Sequence, residues 1–335
     1  VAGRILVTGA AGFIGRNLVP AITHNGYTVR VYCHSALSYR EDIGCEVICG
    51  DLRDPLAAKR AVEGCEAVVH LAGKAHAVDE RSGNDGEYES INVEGTRYSL
   101  DAAAAAGVRR FIFASSVKVF GETTDGCVDE SQAPAPQSAY AKSKWAAEQL
   151  VREYAGRYRF SGVSLRLPMV YGPTEKGNLF RMIEAIDRGR FPPLPRLSTV
   201  RSMLHVDNFT QAVVQLLQSD KPLKDCYIVT DAKPYNVTTI YEQLCAGLGK
   251  PVPARRVPLS LLKMGAIGGD IVQGVTRRPF PFTSTSLSKL IEPAWYSSQA
   301  LANDVGYRPS LSFEDAVPEL IAFYRRFTSR PRASA

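Results

Sequence analysis

Three glycines spaced three apart, in Thr8-Gly9-Ala10-Ala11-Gly12-Phe13-Ile14-Gly15, join an apolar run, Arg4 to Thr8, to a segment with helical spacing, Phe13 to Thr23. A strand that enters a helix through such a loop is the opening of a βαβ unit. Gly9 permits the tight turn, Gly12 lets the backbone approach a pyrophosphate, and Gly15 allows close packing of helix on strand. The N–H groups that open the helix, around Phe13 and Ile14, are free to face an anion.

The pattern continues down the chain. Thr28 to Cys33 and Cys45 to Cys49 read as strands, as do Glu66 to His70, Arg110 to Ala114 and Gly162 to Leu167. Helical segments from about Ser90 to Ala106, stopping at Gly107, and from Tyr140 to Tyr158 lie between the later ones. Six or seven parallel strands with covering helices predict an α/β, Rossmann-type doubly wound sheet over residues 1–168. Beyond Pro168 prolines cluster at 192–195 and 251–258 and the segments shorten, which predicts a smaller C-terminal α+β substrate-binding region over 169–326, with chain crossings back to the first domain allowed. The basic, Ser- and Ala-rich end, Arg325 to Ala335, reads as a solvated tail, flexible from 327 onward.

A length of 335 residues accommodates two such units, and 45% hydrophobic with 22% charged residues suits a folded chain. The net charge of +6 is spread out, so nucleic acid is not implied, whereas an anionic small molecule is compatible. No apolar stretch reaches membrane-spanning length and no secretory signal opens the chain, so a cytoplasmic protein without membrane insertion is expected. Seven cysteines, with no C-x-x-C pair and no histidine at zinc spacing, read as buried thiols and not as a metal site.

The three-and-three glycine spacing resembles the short-chain dehydrogenase/reductase superfamily in its extended form, and further residues strengthen the match. Gly50-Asp51-Leu52 follows the third strand, where the resemblance sets Asp51 against the adenine. Leu71-Ala72-Gly73 follows the fourth strand as a cofactor-lining backbone, and Asn92 in Ile91-Asn92-Val93-Glu94-Gly95-Thr96 also matches. At the end of the second strand Cys33 or His34 stands where an acid would read the ribose hydroxyls, and no arginine replaces it, although Arg40 is near in sequence. The likeness to sugar-nucleotide enzymes implies NAD, with NADP not excluded.

Tyr140-Ala141-Lys142-Ser143-Lys144 puts a tyrosine and a lysine at i and i+4, on one face of a helix. A neighbouring ammonium, aided by the positive charge of a bound nicotinamide, favours the phenolate and is expected to lower the tyrosine pKa, which suits Tyr140 to general acid/base work. Ser116, at the carboxyl end of the fifth strand beside Ser115, completes what looks like the family's Ser, Tyr and Lys catalytic set, with Lys144 also on the nicotinamide ribose. His70 reads as a sheet-end packing residue, and His205 and Asp207 as a strand residue and a helix N-cap.

The second half resembles nucleotide-sugar enzymes: Asn178, in Gly177-Asn178-Leu179, matches a diphosphate contact, and Arg201 matches the arginine that grips it. Ser116 and Tyr140 would also touch the substrate. Met169 departs from the pattern, standing where many relatives have an asparagine. Val117 and Lys118 replace the acidic pair of the sugar dehydratases, so elimination is not expected, and Lys118 reads either as a donor to sugar or phosphate or as a solvated edge charge. The resemblance implies a UDP-sugar 4-epimerase; the alternatives are a UDP-4-keto-6-deoxy-hexosamine reductase of polysaccharide biosynthesis and, from another class, a non-catalytic NAD(P)-binding sensor or scaffold. It also implies a homodimer through the helices near Ser90–Ala106 and Tyr140–Tyr158. The uridine-side segment, Arg277 to Ser288, carries little of the usual pattern.

Overall fold

The computed structural model describes residues 2–35, 44–75, 85–277, 280 and 282–329. The first half runs β1 (Ala2–Thr8), α1 (Phe13–His24), β2 (Tyr27–Cys33), β3 (Glu46–Cys49), α2 (Pro55–Val62), β4 (Ala67–His70) and α3 (Asp85–Tyr88). It continues through a π-helical turn (Glu89–Glu94) into α4 (Gly95–Ala106), β5 (Arg110–Ser116), a 3-10 turn (Val117–Phe120), β6 (Cys127–Val128), α5 (Ala139–Arg157) and β7 (Ser161–Leu167). The second half supplies β8 (Met169–Tyr171), α6 (Asn178–Asp187), β9 (Val200–Arg201), β10 (Met203–His205), α7 (Val206–Gln218), β11 (Cys226–Ile228) and β12 (Tyr235–Asn236). It ends with α8 (Val237–Leu248), α9 (Leu259–Thr276), α10 (Ser284–Ile291), β13 (Trp295–Tyr296), α11 (Gln299–Val305) and α12 (Phe313–Thr328).

Seven strands form one sheet, in the order β11-β7-β5-β4-β1-β2-β3, and every pairing within it is parallel. Alternation along β1 divides its side chains between two cores. Ile5 and Val7 face α1 and α7, meeting Leu18, Ile22, Phe209 and Val213, while Leu6 faces the α2, α4 and α5 side with Ala61, Leu100 and Val151. Both faces are covered, which is why β4 and β5 are buried from end to end. The strand order reverses between β1 and β4, and Gly9 and Leu71 sit at the carboxyl ends of those two strands, where open α/β sheets bind their ligands.

A separate apolar core joins α6, α8 and α12 with Leu262, Ala266 and Leu287 from α9 and α10. The chain beyond residue 168 does not all stay there: α7 packs on the first core and β11 extends the main sheet beside β7.

Several expectations need correction. The helix expected from Ser90 begins as the π-turn, because Asn92 is held by hydrogen bonds outside its own helix, and the α-helix proper starts at Gly95. His205, not Asp207, caps α7: its Nδ1 accepts from the Asp207 N–H at 3.2 Å. Arg325 and Arg326 belong to α12, which lays Leu320, Ile321 and Tyr324 into the second core; residues 330–335 lie outside the described ones. No disulfide joins the seven cysteines, but burial holds fully for Cys33, Cys65 and Cys245, whereas Cys49 and Cys127 are exposed on short peripheral strands.

Candidate functional site

The cofactor loop is shaped by close approach. Gly9 adopts φ +68°, and a Cβ there would stand 2.7 Å from the Ala72 backbone N; a Cβ on Gly15 would stand 2.5 Å from Ala10 Cα. Gly12, the N-cap of α1, is different, with Gly9 O at 3.2 Å the nearest atom to a Cβ built there. No side chain caps α1 and its first turn carries no acid, so the Phe13 and Ile14 N–H groups open onto that uncrowded glycine. Such a cradle fits the pyrophosphate of a dinucleotide.

His70 braces the loop from beneath. Its Nδ1 meets Thr8 Oγ1 at 3.0 Å and its Nε2 meets Thr96 Oγ1 at 3.2 Å, while the Ala72 N–H donates to Thr8 Oγ1 at 3.1 Å. Burial, with the Lys144 charge adding to it, pushes the His70 pKa down to about 3, so the ring is neutral and packs as expected. Asp51, at the end of β3, is held by Arg53, whose hydrogen bonds lower its pKa to about 2; Tyr32 Oη donates to the Asp51 carbonyl at 2.7 Å. Leu52 lies under Gly95, where a Cβ would come within 2.6 Å of it. Arg40 lies outside the described residues.

Asn92 is a brace. Its amide donates to Ser143 Oγ at 3.0 Å and to the Lys74 carbonyl at 3.2 Å, and its Oδ1 accepts from the Lys74 N–H at 2.7 Å. Gly73 is wedged beside it: a Cβ there would lie 2.9 Å from Asn92 Oδ1 and 3.4 Å from Lys144 Nζ.

The Ser138 side chain caps α5 by accepting from the Ala141 N–H at 3.2 Å, which sets Tyr140 in the first turn and Lys144 one turn on. Strand alternation at the end of β5 then separates two adjacent serines. Ser116 turns to Tyr140, with a hydrogen bond between their side chains, while Ser115 donates to Glu148 on the far side. Lys144 Nζ donates to the Ala114 carbonyl at 2.8 Å and sits 4.8 Å from the centre of the Phe113 ring. Burial lowers the Lys144 pKa to about 8 against the opposing pull of Glu148. The protein's own groups do not lower the tyrosine; the expected lowering also counts on the nicotinamide charge. Burial raises Tyr140 to about 12, and the Ser116 hydrogen bond offsets it in part; the Lys144 ammonium is committed to Ala114 and Phe113.

On the substrate side Lys118 pairs with Glu122. Arg201 donates to the Glu292 carbonyl, and burial lowers its pKa. Asn178, the exposed first residue of α6 after Gly177 (φ +101°), has no hydrogen bond to Lys118 or Arg201. Met169 is exposed on β8.

Sequence reasoning passed over Glu148, Arg166 and Glu122. Arg166 binds both Glu148 carboxylate oxygens, the closest at 2.8 Å, and stacks 4.7 Å from the Phe120 ring centre. Glu148 had a signal, lying one turn beyond Lys144 on the same face.

The NAD-dependent epimerase/dehydratase family model matches residues 5–229. The chain belongs to this family. Within it, the chain is 30% identical to the UDP-glucose 4-epimerase of Vibrio cholerae over 81% of this chain and 85% of the relative. It is 28% identical to the 2-alkyl-3-oxoalkanoate reductase of Stenotrophomonas maltophilia over 95% and 98%. The family fold recurs in the solved UDP-glucose 4-epimerase of Thermotoga maritima, at TM-score 0.77 and 20% identity over 97% of this chain and all of that one.

Proposed function

We propose that this family member is an NAD-dependent UDP-sugar 4-epimerase that oxidises C4 transiently to a ketone and then reduces it on the opposite face. The observation that carries the reading is the joined pair Ser116 and Tyr140 at the carboxyl edge of β5, one helical turn from Lys144 and behind the glycine loop. Bound NAD would supply the hydride acceptor and donor. Gly9, Gly12, Phe13, Ile14, Gly15, Asp51, Leu52, Leu71, Ala72 and Gly73 would hold it, with Asn92 fixing the wall and Lys144 reaching its ribose.

Tyr140 Oη takes the proton of the C4 hydroxyl during oxidation and returns it during reduction, and Ser116 Oγ holds the same oxygen through both. A tyrosine at about 12 is a poor base at neutral pH, so the site needs a cation. Lys144, at about 8, keeps its proton near pH 7 and is the charge the chain itself offers. Arg201 and Lys118 suit a sugar diphosphate better than an apolar ketone, with Asn178 at the rim. Seven cysteines that form no disulfide fit a reducing compartment such as the cytoplasm. The outer sides of α4 and α5, where Tyr154 and Tyr158 lie 5.5 Å apart, are our choice for a homodimer contact.

A reductase acting on a UDP-4-keto-sugar would use the same residues; the likeness to a 2-alkyl-3-oxoalkanoate reductase supports ketone reduction as a reaction and not the sugar as its substrate. Protein purified without added cofactor separates the two. Released NAD, with C4-inverted product from UDP-glucose or UDP-N-acetylglucosamine alone, is the expected result; conversion only with added NADH or NADPH and a keto-sugar would make it a reductase. Tyr140→Phe should lower kcat by about 10² to 10⁴. An unchanged rate would leave a binding protein or a different acid.

A further inference from the structure

The α9 helix has two apolar faces, and the protein uses one. Leu262 and Ala266 are buried in the second core, and Gly269 lies against the Phe282 carbonyl. The opposite face carries Leu261, Met264, Ile267, Ile271, Val272 and Val275, exposed by 42% to 80%, at spacings of three, three, four, one and three along a helix about 27 Å long. Isolated exposed apolar side chains are ordinary, but six along one helix are a docking surface.

Charge says what docks there. Residues 251–291 hold six cations, Arg255, Arg256, Lys263, Arg277, Arg278 and Lys289, against one acid, Asp270. Five of the chain's net +6 therefore lie in this stretch, so the charge is concentrated here and not spread out as expected, and the rest of the chain is close to neutral. Arg256 is spent on Glu242, but Arg255, Lys263 and Arg277 are exposed around the apolar stripe. Asp270 turns off the face towards the Ser284 N–H at 3.3 Å. A second copy docking symmetrically would bring the same positive charge against this one, whereas an anionic bilayer offers the opposite charge and an apolar interior. No helix among the described residues is long and apolar enough to cross a membrane.

We propose that the exposed face of α9 lies in the interface of an anionic phospholipid bilayer, apolar side chains down and cations at the headgroups, so that the protein works at a membrane surface. The inference is independent of the hydride chemistry proposed above.

The test is co-sedimentation of the full chain with vesicles of phosphatidylcholine alone and of phosphatidylcholine mixed with phosphatidylglycerol, at low and high salt. At low salt, about tenfold more protein should pellet with the anionic vesicles, with the excess lost at high salt. Ile271→Glu, and separately Val275→Glu at the most exposed position, should abolish pelleting with an unchanged circular dichroism spectrum and unchanged NAD binding. Equal binding to neutral vesicles, binding to neither, or binding that survives both substitutions overturns the proposal. Light scattering covers the rival occupant: an oligomer that falls to monomer in Ile271→Glu, without vesicle binding by the wild type, makes the face a contact between copies. An oligomer unchanged by Ile271→Glu uses another surface and leaves the decision to the vesicles.

Discussion

The two walls of the candidate site are built on opposite principles. The cofactor wall, from Gly9 to Gly73, is shaped by what is missing: glycines let backbone meet backbone, and one neutral imidazole, His70, ties Thr8 to Thr96. The substrate wall is gathered around a buried acid. Asp231 accepts from Tyr171 Oη at 2.8 Å, Tyr235 Oη at 3.0 Å, Asn208 Nδ2 at 2.7 Å and the His205 N–H at 2.8 Å, joining β8, β10, α7 and β12. A wall made of contiguous glycines can be read from a short stretch of sequence, while one made around a lone carboxylate is visible only after folding. The first tolerates no added atom, and the second tolerates no lost one.

The largest effect should come from the second principle. Asp231→Ala leaves four buried donors without their acceptor and should cost about 4 kcal/mol in urea unfolding, near the top of the range for single substitutions. Asp231→Asn, which keeps one carbonyl oxygen, should recover part of it. A loss under about 1 kcal/mol for Asp231→Ala would mean that water replaces the carboxylate and that the substrate wall is not organised around it.

Next comes the added atom. Gly9→Ala combines a left-handed backbone with a Cβ 2.7 Å from backbone, which cannot swing aside, and should cost about 3 kcal/mol along with NAD affinity. Gly12→Ala has more room within the protein, so it should spare stability and lose cofactor, read by fluorescence titration. Equal destabilisation by the two would break the distinction between a packing glycine and a ligand-facing one.

Acid separates the walls by sign. His70 has a folded pKa of about 3, below its unfolded value near 6.5, so the unfolded chain binds a proton first and stability falls as pH drops through that window, by up to about 1.4 kcal/mol per pH unit. Burial raises the Asp231 pKa, so its contribution has the opposite slope: the cost of holding a buried carboxylate is relieved as pH falls. In urea unfolding at a series of pH values, His70→Gln should flatten the acid loss while Asp231→Asn steepens it. The same slope in both variants would show that neither group governs the acid response.

The sequence carried the parallel sheet, the glycine loop and the placing of Tyr140 and Lys144 on one helix face, because each rests on spacing within strands or helices; Ser116 was set beside them by the family resemblance alone. It did not carry the tyrosine pKa, since burial is a property of the whole packed site and Tyr140 is raised by it. Nor did it carry the hold of Arg201 on the Glu292 carbonyl, 91 residues away. Asp207 was assigned the wrong role for a related reason, while His205 is the expected strand residue and caps α7 as well. Cap identity depends on where β10 ends, and that end is fixed by the His205 N–H bonding to Asp231, 26 residues away.

The smallest effect sharpens the reading of β5, where the two kinds of construction meet in adjacent residues. Ser115 and Ser116 are both buried, yet Ser116 is bonded to Tyr140 and Ser115 to Glu148. Removing the Ser115 hydroxyl leaves Glu148 with all three of its bonds to Arg166, so Ser115→Ala should cost about 1 kcal/mol of stability and change kcat by less than about threefold. Ser116→Ala should do the reverse, with stability within about 1 kcal/mol and kcat down by about 10² or more. If Ser115→Ala lowered kcat as far and shifted its pH profile, the Glu148 carboxylate would be acting on the Lys144 charge through that hydroxyl, and the chemistry would extend one layer beneath the strand.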